Sequence, residues 1–137
     1  MQYSDRIKRL QVEIEKSGSD ALLITRPIHV QYLSGFTGSN GSVLVHKGIA
    51  HLFTDSRYTT AAKNEAPHCE LHIIRDVVFG AVEQAKKMNC KNLAIESDWV
   101  SASVYQNLLQ VQDISIVAVE NMVEDLRLFK EPAEIAA

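Results

Sequence analysis

The sequence has few cysteines and no long run of apolar residues, and both absences narrow what the chain can be. Cys69 and Cys90 are its two cysteines, and their spacing matches no metal-binding or redox motif. We interpret both as buried thiols of a cytosolic protein, where thiols stay reduced; a structural disulfide between them is the alternative. No apolar run approaches the ~18 residues that a membrane span needs, and no apolar signal-peptide core follows the initial methionine. The sequence therefore predicts a cytoplasmic protein without a membrane segment.

Positive charge is also scarce. The chain has 14 lysines and arginines against 17 aspartates and glutamates, which gives a formal net charge of −3. A protein that binds duplex nucleic acid usually carries a basic stripe, and none is present here. A length of 137 residues, of which 46% are hydrophobic, is typical of one globular domain with a substantial core. We therefore expect no nucleic-acid partner.

The motifs that build common active sites are missing. The stretch from Tyr32 to Ser42 contains three glycines but matches neither the G-x-G-x-x-G fingerprint nor a P-loop. No G-x-S-x-G elbow is present to activate a serine. Because nucleophile, base and oxyanion site do not come together, the residues alone predict a binding or scaffolding domain with no catalytic residue.

Histidines are the most plausible metal ligands in the sequence. They lie at His29, His46, His51, His68 and His72. The last two are four residues apart, but both fall in a predicted strand, where about 13 Å would separate them. That is too far for one metal ion. We therefore interpret the five as surface or strand-edge histidines and predict no metal site.

Apolar residues recur with the periods of alternating helices and strands. Helices are predicted from a Ser4 cap to Ser17-Gly18, from Pro27 to Gly35, from Ser56 to Pro67, and after caps at Asp76 and Ser101. Strands are predicted at 21–24, 42–45, 49–54, 69–73, 93–95 and 114–119, with a hairpin through Lys47-Gly48. The first strand is apolar on both faces, as expected for a strand covered on two sides. In the fourth, apolar residues alternate with Glu70 and His72, which predicts a half-exposed strand. This order predicts a three-layer α/β domain, a mixed β-sheet with helices on both faces.

The last residues follow a different pattern. A helical stripe of apolar residues begins at Val123 and includes Leu126 and Phe129. Pro132 then permits a new helix start, and the sequence stops after one further turn, which cannot hold itself together. We expect residues 1–125 to form one domain and residues 126–137 to be a connector and the start of a second, missing domain. On this interpretation the segment beyond Lys130 is poorly held in this chain alone.

Two segments are candidates for binding. The three glycines of the 35–41 loop, separated by Ser, Thr and Asn, can form a nest of backbone amides for an anion, or simply a tight connection with glycines at positive φ. Asp55 follows a strand and precedes a helix, so it can cap that helix or pair with Arg57. Alternatively, the two present a carboxylate and a guanidinium to a ligand at the carboxyl edge of the sheet.

A further acidic pair, Glu96 and Asp98, follows a later strand. It can act as two acids in one site, although Asp98 also suits a solvated turn.

Three blocks carry a resemblance to a known family. They are YLSGFTGS at 32–39, LFTDSRY at 52–58 and LRLFKEPAEI at 126–135. In this order and spacing they resemble the amino-terminal domain of aminopeptidase P, prolidase and creatinase. One departure is His29, where many relatives carry Asn, which leaves the closest subfamily open.

The resemblance implies a creatinase N-terminal-domain-like, ribonuclease H-like fold in a two-domain, homodimeric hydrolase that cleaves Xaa-Pro bonds. A carboxy-terminal "pita-bread" domain would bind two divalent metals, Mn or Co, through two Asp, two Glu and one His, all beyond residue 137. This chain would hold no cofactor and would shape the cleft for a proline-containing peptide. The matching substrate-entrance positions are Phe36, Ser39, Asn40, Asp55, Arg57 and Tyr58. The alternative is a protein-interaction module of a metal-free pita-bread relative.

Overall fold

A computed structural model describes residues 2–128. In chain order the elements are α1 (Gln2–Lys16), β1 (Ala21–Ile24), α2 (Pro27–Ser34), β2 (Gly41–His46), β3 (Ile49–Thr54), a 3-10 turn (Ser56–Tyr58), α3 (Thr59–Glu65), β4 (Glu70–Ile73), α4 (Phe79–Lys87), β5 (Asn92–Glu96), α5 (Ala102–Leu109), β6 (Ser115–Val119) and α6 (Met122–Leu128). No helix among these residues is long and apolar enough to cross a membrane.

The six strands form one mixed sheet in the order β4-β3-β2-β1-β5-β6. β2 is antiparallel to β1 and β3, while the pairs β1–β5, β3–β4 and β5–β6 are parallel. The hairpin between β2 and β3 turns through Lys47 and Gly48, at φ 52° and 77°. The predicted mixed sheet and hairpin are therefore confirmed.

Helices cover both faces of the sheet and create two cores. The first core joins α1, α2, α3 and α6 to one face, through residues such as Leu10, Leu33 and Leu126. The second core joins α4 and α5 to the other face, with Phe53, Val82 and Leu108 at its centre. Because β1 lies between the cores, all four of its residues are buried, which confirms the apolar-on-both-faces pattern.

Local signals set most helix ends. Pro27 opens α2, and Gly35 closes it in the left-handed conformation at φ 84°. Ser101 caps α5 by accepting a hydrogen bond from the Val104 amide at 3.2 Å, as predicted. Asp76 accepts bonds from two backbone amides just before α4, at 3.0 and 2.9 Å. Ser4, however, is not a cap, because α1 already begins at Gln2.

Two elements differ from their predicted form. β4 does not alternate cleanly between buried and exposed residues, since Leu71 and His72 are both half-buried and Ile73 is 43% exposed. The reason is its place at the edge of the sheet, beside β3 only. α6 runs across the predicted division after residue 125, with Leu126 in the first core. That division stays a prediction, and the predicted connector beyond Leu128 lies outside the described residues.

Candidate functional site

The two candidate binding segments meet at one edge of the sheet. β1, β3 and β5 end at this edge and β2 begins there, because β2 runs antiparallel to its neighbours. The loop before β2 and the turn after β3 are therefore adjacent. Five predicted site residues come together there, and we call them the edge cluster: Ser39, Asn40, Asp55, Arg57 and Tyr58.

The Asp55 carboxylate is the centre of the edge cluster. Its Oδ1 accepts hydrogen bonds from the Arg57 amide at 3.0 Å and from Arg57 Nε at 2.8 Å. Its Oδ2 accepts from Arg57 Nη2 at 2.8 Å and from Asn40 Nδ2 at 2.7 Å. Asp55 thus caps the 3-10 turn and forms a bidentate ion pair with Arg57. It also holds the loop of residues 35–41, which we call the glycine loop, through its hydrogen bond with Asn40.

These contacts shift the ionisation of both partners. The Arg57 side chain, followed by the Asn40 amide, holds the pKa of Asp55 well below its usual range. The carboxylate in turn raises the pKa of Arg57 above its usual value. Both shifts favour the charged forms of the two side chains.

Tyr58 and Ser39 form the second contact of the edge cluster. Their hydroxyl oxygens are 2.6 Å apart, and this hydrogen bond lowers the pKa of Tyr58. The Thr54 hydroxyl donates to the Asn40 carbonyl at 2.5 Å, which fixes the end of the same loop. Side chains of the loop are therefore held by contacts with β3 and the turn that follows it.

Phe36, the sixth residue predicted at a substrate entrance, is buried rather than exposed. Its side chain is 1% exposed, within the first core, and its ring meets Tyr58 edge-on at 5.6 Å. The loop wraps so closely around this ring that a Cβ on Gly38 or Gly41 would meet its carbon atoms.

The loop glycines therefore differ in their roles. Only Gly35 of the three has the positive φ that was expected. Gly38 and Gly41 are required for space beside Phe36.

A buried histidine–carboxylate pair lies at the same sheet edge and was missed by the sequence analysis. His29 on α2 contacts the Glu96 carboxylate at the end of β5 through Nδ1. Their side chains are 0% and 4% exposed, so the prediction that His29 is a surface histidine is wrong. Glu124 of α6 lies close enough to complete a three-residue group. No local pattern signals this contact, because 67 residues separate its partners.

Glu124 also forms an ion pair with Arg26. Arg26 Nη1 lies 3.4 Å from its Oε2. Burial raises the pKa of Glu124, and nearby Asp98 raises it further. Asp98 itself is exposed in a turn, as the turn interpretation predicted, whereas Glu96 is buried against His29.

A second histidine group lies between β3 and the edge strand β4, at the level of His51 to Phe53. His51 Nδ1 is 3.0 Å from His72 Nε2 and 3.2 Å from Glu70 Oε2. His51 is 6% exposed and His46 is 8% exposed, so the surface interpretation fails for these two as well. Burial lowers the pKa of both His51 and His72. Of the two histidines predicted to share a strand, His72 lies in β4, but His68 lies in the turn before it.

The two cysteines are both free. Cys90 is buried and Cys69 half-buried, and burial raises the pKa of these thiols to about 11 and about 12. Neither is therefore a thiolate near neutral pH.

Comparison with known proteins identifies the fold. The sequence-family model of the creatinase/prolidase N-terminal domain matches residues 6–129 of this chain. The chain belongs to this family. The N-terminal domain of the cytoplasmic peptidase PepQ from Mycobacterium tuberculosis H37Rv superposes with a TM-score of 0.84 and 37% identity, covering 90% of this chain and 98% of that one.

Longer relatives place this creatinase/prolidase domain within larger proteins. Xaa-Pro dipeptidase from Bacillus anthracis is 30% identical, with a TM-score of 0.88 over 98% of this chain and 38% of its own length. The peptidase YqhT of Bacillus subtilis (strain 168) is 31% identical over 95% of this chain and 37% of its own length. The chain thus spans somewhat over a third of these two relatives.

Proposed function

We propose that this chain is the non-catalytic N-terminal domain of a cytoplasmic Xaa-Pro peptidase, an aminopeptidase P or an Xaa-Pro dipeptidase. Its role is to shape the substrate cleft beside a C-terminal catalytic domain and to support a homodimer. The observation that carries the proposal is family membership over residues 6–129. The structural match to the Xaa-Pro dipeptidase from Bacillus anthracis supports it, because that match covers 98% of this chain but 38% of the dipeptidase.

The edge cluster is the part of the domain that we assign to the substrate entrance. Arg57 has five N–H donors in its guanidinium, and Asp55 engages Nε and Nη2. The Arg57 side chain is 69% exposed, so its remaining N–H donors are open to a peptide carboxylate or carbonyl. Ser39 is exposed and Tyr58 half-buried, while Asn40 and Asp55 act as supports.

Catalysis is assigned to residues outside this chain. The family's two metals need two Asp, two Glu and one His, and no such set comes together within residues 2–128. The two groups that do converge there consist of His and Glu alone. We therefore derive no metal-dependent step for this domain, and the two divalent metals, Mn or Co, belong to the proposed catalytic domain.

The test compares this chain with the longer polypeptide to which we assign it. Both are purified, supplied with Mn²⁺ or Co²⁺, and assayed on an Xaa-Pro dipeptide and an Xaa-Pro-Yaa tripeptide. We expect the longer protein to cleave one of them and the chain alone to show no turnover. Activity that follows the chain alone through its final column would contradict the proposal. An inactive longer protein that lacks the five metal ligands would instead support the interaction-module alternative.

A further inference from the structure

We propose that His51, Glu70 and His72 form a binding site for a divalent transition-metal ion, with Zn²⁺ as the best match. The site joins the edge strand β4 to β3, at the level of His51 to Phe53. Its readout is metal binding by this chain, so it stands or falls independently of the proposed peptidase role.

The spacing of the donor atoms fits one metal ion. His51 Nδ1 stands 3.0 Å from His72 Nε2 and 3.2 Å from Glu70 Oε2, and all three atoms lie within 4.8 Å of one another. Donors bound about 2.0–2.1 Å from one zinc ion stand about 3.3 Å apart in a tetrahedron and about 2.9 Å apart at right angles. The two separations from His51 Nδ1 fall between these two values.

The tautomers of the two imidazoles decide what this arrangement can bind. Either ring can donate its hydrogen to the other, because the roles of His51 Nδ1 and His72 Nε2 depend on the tautomer. With both hydrogens on the other ring nitrogens, the two nitrogen lone pairs and Glu70 Oε2 are available within 4.8 Å of one another. A divalent cation would then bind all three donors at once.

The site is built on rigid parts of the fold. His51 and Glu70 are direct partners in the parallel ladder between β3 and β4, and His72 lies two residues further along the same strand face. The His72 ring stacks on Phe53 at 4.7 Å between centroids, and Phe53 is fully buried in the second core. Two imidazoles are therefore held in place before a metal arrives, which reduces the entropic cost of binding.

The donor set selects the class of metal. Two imidazole nitrogens and one carboxylate suit Zn²⁺, Co²⁺, Ni²⁺ or Cu²⁺, whereas Mg²⁺ and Ca²⁺ prefer oxygen donors throughout. The Glu70 side chain is 62% exposed, so solvent reaches the site and water can take a fourth position. A closed structural site would need a fourth protein ligand.

The group of His29, Glu96 and Glu124 is the competing location for a metal. Its histidine already contacts Glu96 through Nδ1, and the Arg26 guanidinium lies 3.4 Å from Glu124. A positive charge at that distance opposes a second cation. Both His29 and Glu96 are also buried from solvent, which closes the route by which an ion would enter.

Calorimetric titration of the metal-stripped chain with Zn²⁺, together with Co²⁺ absorption spectra, tests the proposal. We expect one Zn²⁺ per chain, visible Co²⁺ bands typical of nitrogen and oxygen ligands, and a higher melting temperature with metal. Glu70→Gln and His72→Gln should each weaken Zn²⁺ binding by at least about tenfold. His68→Ala is the matched control, because His68 lies outside the group, and it should leave the affinity unchanged.

Glu70→Gln keeps the test decisive, since this exposed residue can be changed without unfolding the domain. Folding of that variant, shown by an unchanged circular dichroism spectrum, with loss of Zn²⁺ binding supports the site. The proposal is overturned if Glu70→Gln and His72→Gln bind Zn²⁺ as the unmodified chain does. It is equally overturned if binding is lost only in Glu124→Gln, which would place the metal at the competing group.

Discussion

At the scale of single residues, the two carboxylate oxygens of Asp55 make three kinds of structural contact. It caps the turn after β3, pairs with Arg57 and fastens the glycine loop through Asn40. The first two contacts span two residues, so the sequence predicts them from the Asp-Ser-Arg spacing. The third joins positions 15 apart, and no local pattern signals it.

Replacing Asp55 tests whether it only caps the turn or lines the substrate entrance. We expect Asp55→Ala to lower the melting temperature modestly and to change kcat/KM of the longer protein by less than about tenfold. The reason is that its oxygens are all occupied by Arg57 and Asn40. Steady-state kinetics and thermal melts on the same preparations provide the measurement. A larger fall in kcat/KM at an unchanged melting temperature would assign Asp55 to the substrate.

The same residue predicts a defined response to acid. The pKa of Asp55 is lowered in the folded state, so the folded protein holds on to this proton less tightly than the unfolded chain. Its stabilising contribution is therefore complete above the ordinary value of 3.8 and is lost as the pH falls through the folded-state pKa. Urea unfolding from about pH 5 to about pH 2 should show a shallower loss of stability in Asp55→Asn than in the unmodified chain.

Part of the acid response belongs to another carboxylate. Backbone amides of Asn92 and Lys91 lower the pKa of Asp20 in the same direction. The Asp55→Asn variant should therefore retain some pH dependence. An identical pH dependence in variant and unmodified chain would contradict the shift assigned to Asp55.

Gly38 provides a test of packing around Phe36. A Cβ at this position would meet the Phe36 ring and approach Tyr58 Cδ1 to 2.9 Å. Gly38→Ala should therefore cost about 1–3 kcal/mol of stability, as overpacking of a core does. The cost should shrink in a Phe36→Leu background, because the shorter side chain leaves room, and a double-mutant cycle measures that coupling. Equal costs in both backgrounds would show that the ring is not what excludes a side chain.

Buried histidines mark the limit of residue-level prediction. Surface or strand-edge positions were expected for His29, His46 and His51, and the side chains of all three are buried. The buried imidazole of His29 has Glu96 as its hydrogen-bonding partner, 67 residues away in the sequence, and that of His51 has His72, 21 residues away. A histidine becomes buried when a distant partner compensates it, so the sequence near it carries no sign of the outcome.

For the elements, local chemistry decided most boundaries. Pro27, Gly35 and Ser101 place helix ends through fixed φ angles and capping hydrogen bonds, all of which are short-range effects. β4 departed from its predicted alternation because its surroundings depend on being the edge strand. That position is set by pairing with β3, which the period-two pattern does not encode.

Helix α6 gives the sharpest test of an element. Leu126 is 6% exposed in the first core, whereas Leu128 of the same helix is 78% exposed. Leu126→Ala should therefore reduce the free energy of unfolding by about 2–5 kcal/mol. Leu128→Ala should change it by no more than about 0.5 kcal/mol. Urea unfolding of the two variants in this chain measures both, and equal effects would mean that α6 does not pack on this domain as described.

At the level of the whole molecule, the fold class was predictable and the strand order was not. Alternating helices and strands with one hairpin indicate a mixed sheet with helices on both faces, and the six-stranded sheet confirms it. The placement of β5 beside β1, rather than beside β4, depends on contacts between segments some 70 residues apart. Sequence periodicity contains no information about such pairings.

The single sheet shared by two cores predicts cooperative unfolding of this chain. β1 is buried on both sides, so neither core can lose its strands without exposing the other. Trp99, the one tryptophan in the sequence, lies just after β5 and is 49% exposed, with the Arg26 guanidinium 5.4 Å from its ring. Its fluorescence therefore reports on the sheet edge, while far-ultraviolet circular dichroism reports on all helices.

We expect the two signals to give the same urea midpoint and the same slope, as a two-state domain of this size does. A core substitution on either face should shift both midpoints together: Leu22→Ala for the first core and Leu23→Ala for the second. The free-energy cost of each change arises from its own cavity, but the lower free energy of unfolding applies to the whole sheet. If Leu23→Ala moved the fluorescence midpoint and left the dichroism midpoint in place, the two cores would be separate folding units, and the sheet would not be the element that couples them.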